Sequence, residues 1–210
     1  HMARLEQKDY EALTLFDPNQ FNRKALIVVV DMVNGFVKEG NMADPTILDI
    51  VGAQKQLFAM LPDSDHLYFV DAHDQDCKEF KTFPRHCVKD SDESKICDEL
   101  EADSKQSYIV YKNSTNGFLA PDFIDQIDKW MSYDDFVIVG CCSDICVLQF
   151  TLTLQTYINQ HDLMKQVNVV VDGMDTYHNP AGHDAKTYNK MSIDLMKQAG
   201  VNVMRMEGNK

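Results

Sequence analysis

Six short apolar runs recur along the chain, and helical stretches separate them. The clearest run, Ala25 to Val30 (ALIVVV), is continuous and β-branched, as expected of a strand buried on both faces. His66 to Val70, Ser107 to Tyr111, Phe136 to Val139, Val167 to Val171 and Val201 to Met204 are the other strand candidates. Pro45 to Met60, Pro121 to Met131, Ile145 to Asn159 and His183 to Gln198 read as helices. Asn179-Pro180-Ala181-Gly182 is the loop before the last of them, and Gly200 is its stop. This alternation predicts one α/β domain over residues 24–210, a doubly wound, mostly parallel sheet with helices on both faces. Residues 1–23 read as an extension with a short helix around Lys8 to Leu15, and His1-Met2 as a tag remnant. The longest irregular stretch, Asp74 to Gln106, is charged and is expected to cover the strand ends. Its acidic run, Asp90 to Glu101, is expected on a solvated face.

Composition narrows the class. A chain of 210 residues buries roughly 70% of its unfolded surface and needs no disulfide staples. Its net charge of −13 disfavours nucleic acid and anionic membrane surfaces. No run approaches the roughly 20 apolar residues of a membrane span, and no signal peptide opens the chain. The six cysteines lack the paired spacing of a zinc site and the density of a secreted scaffold, so free thiols in a reducing cytoplasm are expected. The expected partner is a small-molecule substrate, with self-association common among such domains.

Ligands of parallel sheets bind outside the carboxyl ends of the strands. Asp31, Asp71, Lys112 and Gly140-Cys141-Cys142 fall at four such ends. Cys146 follows the last of them and opens a helix, where unpaired N–H groups and the helix dipole favour a thiolate and could hold an oxyanion. The plainer alternative for Cys146 is a buried free cysteine, and for Asp31 and Lys112 a turn acid and an exposed lysine. A carboxylate, an ammonium and a thiol at three adjacent strand ends make a nucleophilic site the stronger reading.

ALIVVVDMVNGF, VYKNSTNGF and GCCSDICV, in this order and at these spacings, resemble the Asp, Lys and Cys segments of isochorismatase-like hydrolases. The resemblance covers about residues 24–205. It implies a Rossmann-like sheet of about six strands, with Cys146 as nucleophile, Asp31 taking its proton and Lys112 orienting both. It also implies a cis Cys141–Cys142 peptide and an oxyanion hole formed by the N–H groups of Cys142 and Cys146.

Asp71-Ala72-His73 ends a strand with two side chains on one side, and His86 and Glu79 follow. Two imidazoles with carboxylates suit zinc first, then manganese or iron, although surface histidine is the plainer reading. Within the superfamily, the Asp-x-His pair followed by Phe83-Pro84-Arg85-His86-Cys87 resembles nicotinamidases. That resemblance implies Asp71, His73 and His86 as metal ligands, with Glu79 matching an acidic ligand of some members. It implies Phe83 and Phe36 as pocket aromatics, although core packing serves each equally well. Val33 and Gly35 depart from the nicotinamidase pattern, where Gln and an acid are common. Lys112 to Phe118 is expected as a loop around the pocket, with Phe118 facing it. His66, His161, His178 and His183 are assigned only surface or capping roles.

The resulting expectation is a metal-containing amidase acting on nicotinamide through a Cys146 thioester. The alternatives are a superfamily hydrolase for another amide or for isochorismate, and a catalytically silent binding protein.

Overall fold

The computed structural model describes residues 4–206; the expected tag remnant at His1-Met2 lies outside them. Seven strands are present: β1 (Thr14–Leu15), β2 (Ala25–Val30), β3 (Asp65–Asp71), β4 (Tyr108–Lys112), β5 (Asp135–Cys141), β6 (Gln166–Asp175) and β7 (Asn202–Arg205). They form one sheet in the order β1-β7-β6-β5-β2-β3-β4, and every neighbouring pair is parallel. Six of them correspond to the apolar runs. The seventh, β1, was not expected: two exposed residues in the N-terminal segment pair with Met204 and Arg205 through backbone alone, and a pair is too short to show a period.

β2 is buried at all six positions because helices cover both faces of the sheet. On one face pack α1 (Gln7–Glu11), α5 (Pro121–Ile124), α6 (Ile127–Trp130), α7 (Cys146–Gln160) and α8 (Ala185–Gln198). On the other lie α2 (Asn34–Val37), α3 (Val51–Met60) and α4 (Asp98–Ser104). Two expected helices are shorter than predicted. Pro45–Ile50 is 3₁₀ before α3 begins, and the segment from Pro121 breaks between α5 and α6. Apolar spacing alone does not separate these forms. The segment 74–106 holds 3₁₀ turns at Lys78–Lys81 and Asp92–Ser94 besides α4. Its acidic run is not simply solvated: Ser94, Cys97 and Leu100 are buried against the sheet. Among the described residues no helix is long and apolar enough to cross a membrane.

The chain winds from β2 outward through β3 and β4, then returns to β5 and winds the other way through β6 and β7. The direction reverses between β2 and β5, and a crevice opens there at the carboxyl ends. The two strands approach closely at that end. Gly140 pairs with Val30, and a Cβ on it would lie 2.2 Å from the Val30 carbonyl oxygen. Only glycine lets β5 run on to the cysteines beside β2.

Candidate active site

Three strand ends and one helix start converge at the crevice. β2 delivers Asp31, β3 delivers Asp71 and β4 delivers Lys112, with Asp71 and Lys112 in register. The Lys112 ammonium lies 2.8 Å from Asp31 Oδ2 and also contacts Asp71 Oδ1. It donates to the Ser114 carbonyl at 3.0 Å and lies 3.7 Å from Cys146 Sγ. The Asp71 N–H donates to Asp31 Oδ1 at 3.1 Å. All four side chains are buried, so each charge depends on the others for the solvation it has lost.

Burial and the neighbouring Asp71 charge raise the Asp31 carboxyl to about 6, against the opposing pull of Lys112. Burial also acts against ionised Asp71, but Lys112 and the two imidazoles outweigh it and hold that carboxyl well below its usual range. Burial works against the Lys112 ammonium too, yet the two carboxylates keep it charged far above the ordinary lysine range. For Cys146 the balance goes the other way. Burial, together with the Asp31 and Asp71 charges, pushes the thiol up more than Lys112 pulls it down. The helix start expected to favour a thiolate is present, but burial together with the two carboxylates acts in the opposite direction. The Cys146 thiol and the Asp31 carboxyl act on each other's ionisation, which makes Asp31 the candidate acceptor for the thiol proton.

α7 begins at Cys146 with no side chain capping it, which leaves its first N–H groups available. The Cys141–Cys142 peptide is cis. Neither the Cys142 nor the Cys146 N–H has an acceptor among the described residues, so both are free to receive one.

Asp71, His73, Glu79 and His86 each offer a donor atom, and these atoms all lie within 4.8 Å of one another. His73 Nε2 is 3.1 Å from His86 Nε2 and 3.0 Å from Glu79 Oε2, and Asp71 Oδ2 is 3.1 Å from His73 Nε2. The outer nitrogens are occupied by acceptors. His86 Nδ1 donates to the Pro84 carbonyl at 2.6 Å, and His73 Nδ1 to the Asn113 carbonyl at 3.2 Å. A carbonyl can only accept, so Nδ1 carries a hydrogen and Nε2 is the nitrogen turned inward, the one a bound metal would take in place of its proton. Glu79 Oε2 is buried with no hydrogen bond. Two imidazole nitrogens and two carboxylates facing one point fit a divalent cation, which would displace the imidazole protons. The pairing also shifts the groups. Burial disfavours both histidinium forms, but Asp71 and Glu79 raise His73 to about 11 and His86 to about 9. Burial tends to raise Glu79, whereas the two histidines bring it to about 2.

Both groups open on one narrow cavity, with about 20 Å³ of room for water-sized spheres. Asp71, Glu79 and His86 line it together with Cys142 and Cys146, and the sequence-predicted Phe36 and Phe83 also line it. Met42, Thr115 and Ile145 complete the lining. Thr115 belongs to the loop expected around the pocket, whereas Met42 and Ile145 had not been singled out, since no periodicity marks such residues for a pocket.

Two expectations are corrected. Phe118 points into the core against Phe123 and Phe150 instead of the pocket. His183 is not a surface residue. Its Nε2 lies 2.8 Å from Asp144 Oδ2, and its ring is stacked between Tyr177 at 3.8 Å and Tyr188 at 3.9 Å. Asp144 belongs to the nucleophile segment, so this pair ties that segment to the loop before α8. The chain separates the two partners by 39 positions, which hides the pairing from local pattern.

The same arrangement of sheet and helices recurs in solved structures. N-carbamoylsarcosine amidase from Thermoplasma acidophilum superposes with a TM-score of 0.68 at 26% identity, over 88% of this chain and 99% of that one. Pyrazinamidase of Pyrococcus horikoshii, solved in complex with zinc, superposes at 0.69 with 17% identity, over 87% and 99% of the two chains. In sequence, the chain is 29% identical over 216 residues to Nicotinamidase 1 of Arabidopsis thaliana, covering 91% of this chain and 87% of that protein. The expected hydrolysis of an amide C–N bond agrees with these relatives. The family model described as the isochorismatase domain matches residues 25–208. That match starts with the first residue of β2 and runs past the end of β7, so the chain belongs to the isochorismatase family.

Proposed function

We propose that the protein is a metal-containing cysteine amidohydrolase that converts nicotinamide to nicotinate and ammonia, with pyrazinamide as a second substrate. The observation that carries this reading is the shared cavity: a four-donor cation group and a buried thiol meet on its lining, with aromatic rings beside them. Such a lining suits a flat heteroaromatic ring whose carboxamide faces the sulfur.

Cys146 Sγ attacks the carboxamide carbon as its proton passes to Asp31, and a C–S bond forms. The N–H groups of Cys142 and Cys146 hold the oxyanion. Lys112 keeps Asp31 oriented and compensates the charge of Asp31 and Asp71 through the cycle. Collapse breaks the C–N bond, and ammonia leaves with the proton from Asp31. Water, losing its proton to Asp31, then attacks the thioester. The C–S bond breaks, the acid departs, and the thiol is restored. Asp71, His73, Glu79 and His86 would hold a divalent ion, zinc first, which would supply a seat for the ring nitrogen. Phe36 and Phe83 orient the ring.

A second reading is a family hydrolase for another small amide. The likeness to N-carbamoylsarcosine amidase favours it, as do Val33 and Gly35, which depart from the nicotinamidase pattern. Ammonia release from nicotinamide, measured beside isochorismate and N-carbamoylsarcosine, separates the two. Turnover of nicotinamide well above the others is expected. Turnover of either of the others with none of nicotinamide would overturn the substrate assignment and leave the cysteine chemistry standing.

A further inference from the structure

His86 rides on a loop without regular structure, so something outside that loop must aim it. The next residue, Cys87, is buried and has a left-handed backbone at φ 46°, uncommon for a side-chain-bearing residue. Its position is held from several sides. Its carbonyl accepts from the His73 N–H at 2.9 Å, which clips the loop to the end of β3. Asn41 Nδ2 donates to the preceding Arg85 carbonyl at 2.8 Å. The Cys87 N–H donates to Glu93 Oε1 at 3.2 Å.

Glu93 lies in the acidic run read from sequence as solvated, but its side chain turns inward over α2. Its segment is fastened there: Asn34 N–H donates to the Lys95 carbonyl at 2.9 Å, and Asn34 Nδ2 to the Asp92 carbonyl at 3.0 Å. The space the carboxylate occupies exists because two positions lack side chains. A Cβ on Gly35 would lie 3.0 Å from Glu93 Oε1 and 2.5 Å from Cys87 Sγ. A Cβ on Gly40 would lie 2.5 Å from Glu93 Oε1. Gly35 therefore seats both the glutamate and the cysteine that follows His86.

We propose that Glu93, seated over Gly35 and Gly40, is a positioning residue that aims His86 into the metal-donor group by accepting the Cys87 N–H. Partners that orient a ligand in this way typically govern metal affinity by about 10–100-fold. The inference rests on the reading of Asp71, His73, Glu79 and His86 as metal ligands, but not on the identity of the substrate.

The test is zinc affinity of the full chain, freed of metal by chelation and titrated against a chromogenic chelator. Glu93→Ala is expected to lose about 10–100-fold in affinity, whereas Glu93→Gln, which keeps an acceptor oxygen, stays within about threefold of the parent. Gly35→Ala, which displaces the same seat from the opposite side, is expected to weaken zinc as Glu93→Ala does. Exposed Asp92→Ala, which removes a neighbouring charge, should change nothing. The proposal is overturned if Glu93→Ala binds zinc as the parent does, or if Glu93→Gln falls as far as Glu93→Ala. Should Glu93→Ala fail to fold, the Glu93→Gln and Gly35→Ala pair decides by the same criteria. A parent chain that binds no zinc overturns the inference together with the metal reading. A parent that binds zinc but releases no ammonia from nicotinamide overturns the substrate alone.

Discussion

Asp31, Lys112 and Cys146 stand at the ends of paired strands or at the start of the helix that follows, whereas Glu79, Phe83 and His86 ride on a segment that adds no strand to the sheet. The first wall of the cavity inherits its geometry from backbone register: Asp71 lies opposite Lys112, and Val30 opposite Gly140. The second is held by isolated bonds from Asn41, Asn113 and Glu93 to the residues around the histidines. Asp71 belongs to both, with Oδ1 against Lys112 and Oδ2 toward His73 and His86. A wall built on register changes little without disturbing the sheet. A wall built on single bonds can be loosened one bond at a time.

Perturbations of the two walls should therefore separate. The largest effect is expected from Cys146→Ala, a loss of turnover on the order of 10⁴-fold or more with the circular dichroism spectrum unchanged. Measurable turnover in that variant would overturn the thioester mechanism. Lys112→Met leaves Asp31 and Asp71 facing each other in the core without their counter-charge. It should cost about 3–5 kcal/mol in denaturant unfolding and remove activity as well. Chelation should do the reverse. Nicotinamide turnover falls and returns with added zinc, while iodoacetamide still labels Cys146 once the metal is gone. The melting temperature should rise with free zinc, by the equivalent of about 2.7 kcal/mol at 100 times Kd. If chelated protein can no longer be alkylated at Cys146, the two walls are not independent. His183→Ala removes the partner of Asp144 and the middle ring of the stack. About 2 kcal/mol of stability should be lost, as seen in urea unfolding, with a smaller change in turnover. The smallest effect is expected from Phe83→Ala, a rise in KM by about tenfold with kcat little changed, because the ring touches substrate equally before and during reaction.

Much of the first wall was legible from sequence. Continuous apolar runs such as Ala25 to Val30 mark buried strands, and a residue that interrupts such a run at its carboxyl end is placed by the fold class at the ligand crevice. Asp31, Asp71 and Lys112 were found in this way, and the strand-to-helix segment pointed to Cys146. The second wall was legible only through the Asp-x-His spacing and the resemblance that went with it. Its supports were not. Glu93 looked like one charge in an acidic run, and His183 like an unpartnered loop residue. The expected helix from Pro45 to Met60 hid a 3₁₀ turn, because apolar spacing over a few residues suits either geometry.

The sequence by itself determined which segments are strands, where the chain leaves them, and which chemical groups stand at those points. Periodicity and composition are local properties, and local properties can be read in one dimension. The tertiary structure alone decided the state of those groups. The Cys146 thiol is pushed up because burial, joined by carboxylates from β2 and β3, outweighs the ammonium from β4. His73 and His86 face each other because the Asn113 carbonyl, 40 positions from His73, and the nearby Pro84 carbonyl hold their outer nitrogens. Each of these outcomes depends on distances between residues far apart in the chain, inside a medium from which folding has removed the water.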